Sequence, residues 1–372
     1  MGLQQVLAAH LPHYCATHRL DARRTRVCEH IQQCRTEALG GYQLTCDRCG
    51  HDQSQYFACR DRHCPLCQQR ASQQWAERQQ RAVLPAAYHH LVFTLPDTLN
   101  GWVQLHPDVF YRALFAAVWQ TLKAFAADPK RLGGQLGMTA VLHTWGQTLT
   151  QHVHLHCLVP GGVLTDQGSW KAARSTYLFP VRALSRHFRG HLVGRLRKLF
   201  EAGALCRVTA ADVSARLDAL MAKEWVVFSR PCEHATRSVV NYLARYSHRT
   251  AISNQRILAM DEETVSFRYK DYGDSDRQKV MHLSHTEFIR RFLLHVLPKG
   301  LMRIRHFGYL ANCCREKRLA QIRAAMAEAT PSEPETVLHP SGPEVETWPC
   351  PACRTGRLRV VAELPPRRPG GG

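Results

Sequence analysis

The chain has 372 residues, 45% of them hydrophobic, which is enough for two or three packed domains and too apolar for disorder throughout. Its 49 Lys and Arg against 30 Asp and Glu leave a formal net charge of +19, a field that attracts polyanions and puts nucleic acid first among partner classes. No run reaches the 18 or more apolar residues of a membrane span, and the opening MGLQQVLAAHLPHYC lacks a basic start and an apolar core, so no membrane partner and a cytoplasmic location are expected.

Residues 1–85 are polar, basic and rich in cysteine, and are expected to form an N-terminal zinc-binding, DNA-docking domain. Their signature is CDRCGHDQSQYFACRDRHCPLC, in which Cys46-x2-Cys49 and Cys64-x2-Cys67 stand fourteen residues apart. Each Cys-x2-Cys turn presents two thiolates on one side of a tight knuckle, so the two pairs are expected to complete one tetrahedral structural Zn2+ site. Cys59 and His63 lie inside the module as substitutes for one ligand, while Cys28 and Cys34 read as buried thiols. In a reducing compartment such clustered pairs are metal sites rather than crosslinks.

A Gln/Arg-rich helical stretch stopped by Pro85 closes this region. YHHLVFTLP, residues 88–96, is β-branched and aromatic and ends in proline, the pattern of a strand. Residues 107–128 carry apolar side chains at helical spacing. GMTAVLHTWGQTL (137–149) and HVHLHCLV (152–159) read as two strands joined by a tight polar turn. A basic amphipathic helix follows at 182–201, then a strand at 224–229, a helix at 233–248, strands at 251–258 and 264–270, and a helix at 285–298. Strands interrupted by helices, with hairpins between, predict an α+β fold with flanking helices on a central antiparallel sheet. The catalytic core is placed at 86–320. Residues 321–372 read as an acidic, Pro-rich linker and a short tail with one more knuckle, Cys350 and Cys353, which Cys313 and Cys314 could complete.

The stretch QTLTQHVHLHCLVPGG, residues 147–162, sets His152, His154 and His156 at every second position. Strand alternation sends His154 and His156 to one face and Leu155 to the opposite, buried one. Two imidazoles so placed can chelate a divalent ion that also touches substrate, although packed core histidines give the same pattern. Further on, NYLARYSHR carries Tyr242 and Tyr246 four residues apart, on one face of the expected helix. Alone such a pair is ordinary packing. Beside a two-histidine strand in a basic chain it becomes a candidate for attack on a phosphodiester.

These segments in order, CRDRHCPLCQ, HLVFTLP, LHTWGQTLTQHVHLHCLVPGG, WVVFSRP, YLARYSHRTAISNQRI, FIRRFLLHVLPKG and RIRHFGYLAN, resemble the rolling-circle transposases of the insertion-sequence 91 family. That family lies in the superfamily of nucleases named for a histidine-hydrophobic-histidine motif, and the resemblance runs from about residue 15 to about 320. It implies that His154 and His156 hold a catalytic Mg2+ or Mn2+ and that Tyr242 and Tyr246 are nucleophiles that form a 5′-phosphotyrosine. It also implies a third ligand, for which Gln147 is the first candidate, followed by His152 and His143. Arg245 and Arg249 are the expected partners of the scissile phosphate. The implied substrate is single-stranded or hairpin DNA at transposon ends and target, with the protein on the bacterial nucleoid when bound. The absence of a Gly-x4-Gly-Lys-Ser/Thr loop fits chemistry without a nucleotide cofactor.

Two other classes compete. A zinc-dependent nucleic-acid-binding regulator without chemistry accounts for the charge and the cysteines but not for the paired motifs. A hydrolase with zinc on His152, His154 and His156 strings its ligands too far along one strand to close around one ion.

Overall fold

The computed structural model describes residues 1–80, 83–173, 177–232, 249–329 and 347–367. Two helices, α1 (Leu3–Thr17) and α2 (Ala22–Gln33), open the chain, and the Asp21 carboxylate caps α2 by accepting the Arg24 N–H at 2.9 Å. The hairpin β1 (Gly41–Cys46) and β2 (Asp52–Tyr56) follows, then α3 (Pro65–Gln80). None of these N-terminal elements except α3 was anticipated from periodicity. Their strands are short, and β2 is polar throughout apart from Tyr56.

The centre is a five-stranded sheet built from β3 (Tyr88–Thr94), β4 (Gly137–Trp145), β5 (Gln151–Pro160), β8 (Val227–Pro231) and β12 (Ile304–Gly308), in the order β12-β4-β5-β3-β8. Every neighbouring pair is antiparallel, so the fold is α+β as expected. On one face of this sheet lies α5 (Pro107–Ala127), which starts with proline at its first turn, where a missing N–H costs nothing. Beside it lies α6 (Val181–Glu201), whose Leu184, Phe188, Leu192 and Leu196 recur at four-residue spacing and are buried. Leu91, Phe93, Leu142, Val153, Leu155, Cys157 and Val159 of the sheet meet these helices in one core. The short helices α4 (Asn100–Leu105) and α7 (Ala210–Ala222) and the small hairpin β6 (Gly162–Leu164) and β7 (Trp170–Ala172) lie around it.

A second core belongs to a smaller sheet, β11-β10-β9, formed by β9 (Ile257–Met260), β10 (Thr264–Asp271) and β11 (Arg277–Ser284), with α8 (His285–Leu293) after it. Leu3, Val6, Leu7, Val27 and Ile31 from α1 and α2 pack here with Phe267, Phe288, Phe292, Trp145 and Leu149. The N-terminal residues therefore share a core with residues 251–293. Polar contacts reinforce this: the Leu3 N–H donates to Asn254 Oδ1 at 3.1 Å, and Arg24 Nε donates to the Leu293 carbonyl at 3.2 Å.

The chain ends with α9 (Arg315–Ala329), then β13 (Trp348–Pro349) and β14 (Arg357–Leu364). The expected tail is not a loose appendage in its described part. Strand β14 pairs antiparallel with β1, completing a four-stranded sheet in the order β13-β14-β1-β2. No helix among the described residues is long and apolar enough to cross a membrane.

Leu155 sits at the centre of the main core and is fully buried, between the two histidines that face the other way. Leu155→Ala should cost about 2–5 kcal/mol. A urea or thermal unfolding curve checks this, and a loss below 1 kcal/mol would mean that strand β5 does not carry the core.

Candidate functional site

The face of the central sheet opposite the helical core carries the histidines. His154 on β5 stands directly across from His143 on β4, and His156 lies one alternation further along, opposite Val141 on β4 and Val92 on β3. Directly opposed residues of an antiparallel pair project to the same side, so the register alone puts His143 beside His154 and His156. Their ligand atoms all lie within 4.8 Å of one another.

The ring nitrogens have distinct tasks. His154 Nδ1 bonds the His152 carbonyl at 2.8 Å, and His156 Nδ1 bonds His90 Nε2 at 2.9 Å. These bonds direct both Nε2 atoms inward, where they approach to 3.1 Å. Two nitrogens bound side by side to one ion at ~2.1 Å would stand about 3.0 Å apart, so the donors fit a divalent metal. Burial keeps the ligands in the neutral, metal-binding form. It pushes His154 down to about 4, with the neighbouring His152 adding to the effect, and His90 down to about 3, with Arg230 next. His156 is held far below its ordinary range by burial and then by the repulsion its charged form would meet from His143, His154, His90 and Arg249.

Gln147, the first candidate for the third ligand, is not on this face. It sits in the β4–β5 turn, where its carbonyl is held by the Arg256 guanidinium and its Nε2 donates to Tyr272 Oη at 3.2 Å. Arg291 Nη1 on the Thr148 carbonyl and His295 Nε2 on the Leu149 carbonyl pin the same turn. His152 is exposed and contributes its backbone carbonyl instead. His143, last of the three candidates, is the one whose ring lies beside His154 and His156.

Tyr242, Tyr246 and Arg245 lie outside the described residues. Arg249 is described and exposed, and its charge acts on His156. Its backbone carbonyl accepts from Arg303 Nη1 at 2.9 Å, and Arg303 is itself buried. Arg303 also donates its other Nη to Gln68 of α3 at 3.5 Å, and its carbonyl accepts the Leu142 N–H at 2.9 Å, next to His143. Neither Arg303 nor His90 was singled out from the sequence. The His90 signal was present as period-two spacing within YHHLVFTLP, but its neighbour was assigned by pairing that only the fold supplies.

The cysteines group differently from the expected single site. Cys64 and Cys67 meet Cys34 and Cys59, whereas Cys46 and Cys49 meet Cys350 and Cys353. The knuckles at 46–49 and 64–67 thus belong to separate clusters, because β1 and β2 carry the first away from the N-terminus of α3, where the second begins. Cys34 is a cluster member rather than a lone buried thiol, while Cys28 remains one, pushed up to about 12 by burial. Cys313 is exposed and Cys314 points at the Gly308 and Ala311 carbonyls, so neither completes a knuckle.

In the first cluster Cys34 Sγ and Cys59 Sγ each lie 3.6 Å from Cys67 Sγ. That is far from the ~2.05 Å of a disulfide and close to the ~3.8 Å edge of a tetrahedron with Zn–S bonds of ~2.3 Å. Arg35 and Arg60, each just after a cluster cysteine, adopt left-handed φ values of 58° and 56°. Such residues cost roughly 1 kcal/mol or more each, which a bound metal can offset. Beside them Asp61 bonds His63 Nδ1 at 2.7 Å and His30 Nδ1 at 3.1 Å, and His63 Nε2 accepts the Leu297 N–H at 3.1 Å. His63 is therefore a bridge to the end of α8 and not a metal ligand.

Two family models match the chain: one described as "Putative transposase" over residues 137–318, and one described as "Transposase zinc-binding domain" over residues 6–95. The chain is similar to "Putative transposase y4qJ" of Sinorhizobium fredii (strain NBRC 101917 / NGR234), with 43% identity over 92% of this chain and 90% of that one. It is also similar to "Transposase for insertion sequence element IS801" of Pseudomonas savastanoi pv. phaseolicola, with 33% identity over 80% of this chain and 73% of that protein. No solved structure matches.

The geometry predicts that His143→Ala weakens Mn2+ binding as much as His154→Ala does, that His90→Ala weakens it by about 10–100-fold, and that Gln147→Ala leaves it unchanged. Calorimetric titration of Mn2+ checks all four; an effect of Gln147→Ala equal to that of His143→Ala would move the third ligand back to the turn.

Proposed function

Since the chain belongs to the insertion-sequence 91 family of transposases, we propose that it nicks and rejoins single-stranded DNA at the ends of a mobile element through a covalent 5′-phosphotyrosine, in rolling-circle transposition. The observation that carries this reading is the convergence of three imidazoles, buried His143 and His154 and half-buried His156, on one face of the sheet in a chain of net charge +19. A divalent metal held by three neutral donors keeps its full charge and can polarise a non-bridging phosphate oxygen. Imidazole donors suit Mn2+ better than Mg2+, which prefers oxygen.

The protein's own residues supply the remaining parts. The phenol oxygen of Tyr242 or Tyr246 attacks the scissile phosphorus and loses its proton. The bond from phosphorus to the 3′ oxygen breaks, and that oxygen takes up a proton to leave a free 3′-hydroxyl. Attack of a 3′-hydroxyl on the phosphotyrosine reverses these bonds and releases the tyrosine, so the strand is rejoined with no nucleotide consumed. Arg249, whose charge reaches His156, and Arg245 are the partners for the negative charge that develops on the phosphate. Two tyrosines allow two linked transfers, one at the donor end and one at the target. Phosphate contacts spread over the basic surface supply most of the affinity.

Incubating the full chain with labelled single-stranded DNA from the element's own end and Mn2+, followed by denaturing electrophoresis, tests the proposal. A covalent protein-DNA adduct is expected. It should vanish in the Tyr242→Phe, Tyr246→Phe double variant and in His154→Ala and His156→Ala, while filter binding to the same DNA changes by less than about threefold. An adduct that persists in the double variant, or cleavage that survives His156→Ala, overturns the assignment.

A further inference from the structure

Cys46 and Cys49 sit at the tip of the N-terminal hairpin, and Cys350 and Cys353 sit in the tail, outside both regions that the family models match. The fold brings them together across some three hundred residues of chain: Cys46 Sγ lies 3.8 Å from Cys353 Sγ, and Cys49 Sγ lies 3.7 Å from Cys350 Sγ. We propose that these four thiolates hold a second structural zinc, a clasp that fastens the C-terminal tail to the N-terminal hairpin.

The backbone supports this independently of the sulfur distances, because the two knuckles repeat one another. The Gly50 N–H donates to the Cys46 carbonyl at 3.2 Å, and the Arg354 N–H donates to the Cys350 carbonyl at 3.0 Å. The Cys46 N–H donates across its hairpin to the His51 carbonyl at 2.9 Å, and the Cys350 N–H donates to the Gly356 carbonyl at 2.9 Å. In each knuckle the residue after the second cysteine is left-handed, Gly50 at φ +69° and Arg354 at φ 59°. That turn wraps backbone N–H groups toward sulfur: the Arg48 N–H reaches Cys46 Sγ at 3.4 Å and the Gly356 N–H reaches Cys353 Sγ at 3.2 Å. Donors of this kind stabilise thiolates, the form that binds metal.

Position 356 is also built for close approach. A Cβ there would lie 2.5 Å from Cys46 Sγ and 2.7 Å from Arg48 Cβ, so only glycine lets the tail knuckle meet the hairpin knuckle. Asp47 locks the same junction, its N–H donating to the Arg357 carbonyl at 3.0 Å and its Oδ1 accepting the Arg357 N–H at 2.8 Å. Four sulfurs at tetrahedral spacing in two matched knuckles are the donor set of structural zinc.

The two clusters differ in exposure. Cys34, Cys64 and Cys67 are buried in the second core, whereas Cys49 is exposed and Cys353 half-buried. The clasp should therefore exchange its ion with solvent faster than the inner site.

Elemental analysis of the full chain carrying His154→Ala and His156→Ala, which removes the histidine site, reconstituted with zinc under reducing conditions, is expected to find two zinc ions per chain. In that background the Cys350→Ser, Cys353→Ser double variant should hold one, and Gly356→Val should lose the same ion while every cysteine stays in place. A chelator should remove one ion in a fast phase and the other in a slow one. During the fast phase, hydrogen exchange should rise across Gly41–Cys46 and Arg357–Leu364 and stay unchanged across Val153–Cys157. One zinc in the chain with all its cysteines, or two in the double-serine variant, overturns the proposal; so does a fast phase that leaves exchange in Arg357–Leu364 unaltered.

Discussion

The two-sidedness of strand β5 is the constraint on which the rest of the site depends. Val153, Leu155, Cys157 and Val159 enter the core against α5 and α6, and the alternation of a strand then leaves His154 and His156 no choice of face. A slip of one residue would turn the imidazoles into the hydrophobic core and the apolar side chains out of it. The hydrophobic core therefore sets the register, and the register aims the imidazoles. His143 inherits its place from the same register, because it is directly opposite His154 on β4.

Around that face, described residues orient the imidazoles and set their charge. His90 and the His152 carbonyl fix the orientation of the two β5 rings, and burial keeps those rings neutral. Positive charge comes from Arg249, which acts on His156, and from Arg230, which acts on His90. Neutral imidazoles with cations nearby leave the face at positive potential. Arg303 ties this arrangement together, joining the N-terminal helix α3, strand β4 and residue 249, at which the described chain resumes after the tyrosine segment.

The inner cysteine cluster extends the same logic to the whole protein. Cys34, Cys64 and Cys67 are part of the core that holds Phe267, Phe288 and Phe292, and His63, Arg62, Arg24 and Leu3 hydrogen-bond residues 254–301. The zinc-binding region of this transposase is thus packed on its partner rather than hung from it. Metal lost there would loosen the small sheet as well as the N-terminal helices.

The sequence by itself determined whatever depends on short-range spacing. The alternation in HVHLHCLV identified the strand and the face of its histidines, the helical periods at 107–128 and 182–201 identified α5 and α6, and the Cys-x2-Cys pairs identified knuckles. The tyrosine helix expected at 233–248 lies outside the described residues. Only the tertiary structure decided which distant elements meet. Spacing shows that Cys46 and Cys49 form a knuckle, but not that their partners are Cys350 and Cys353 rather than Cys64 and Cys67. The family resemblance implies a third ligand near His154, but the placement of His143, and not Gln147, beside that ring rests on a cross-strand register and on a turn pinned by Arg256, Arg291 and His295. Local pattern follows from the period of a helix or strand, whereas pairing between segments hundreds of residues apart is selected by the packing of the complete core, which no window of the sequence contains.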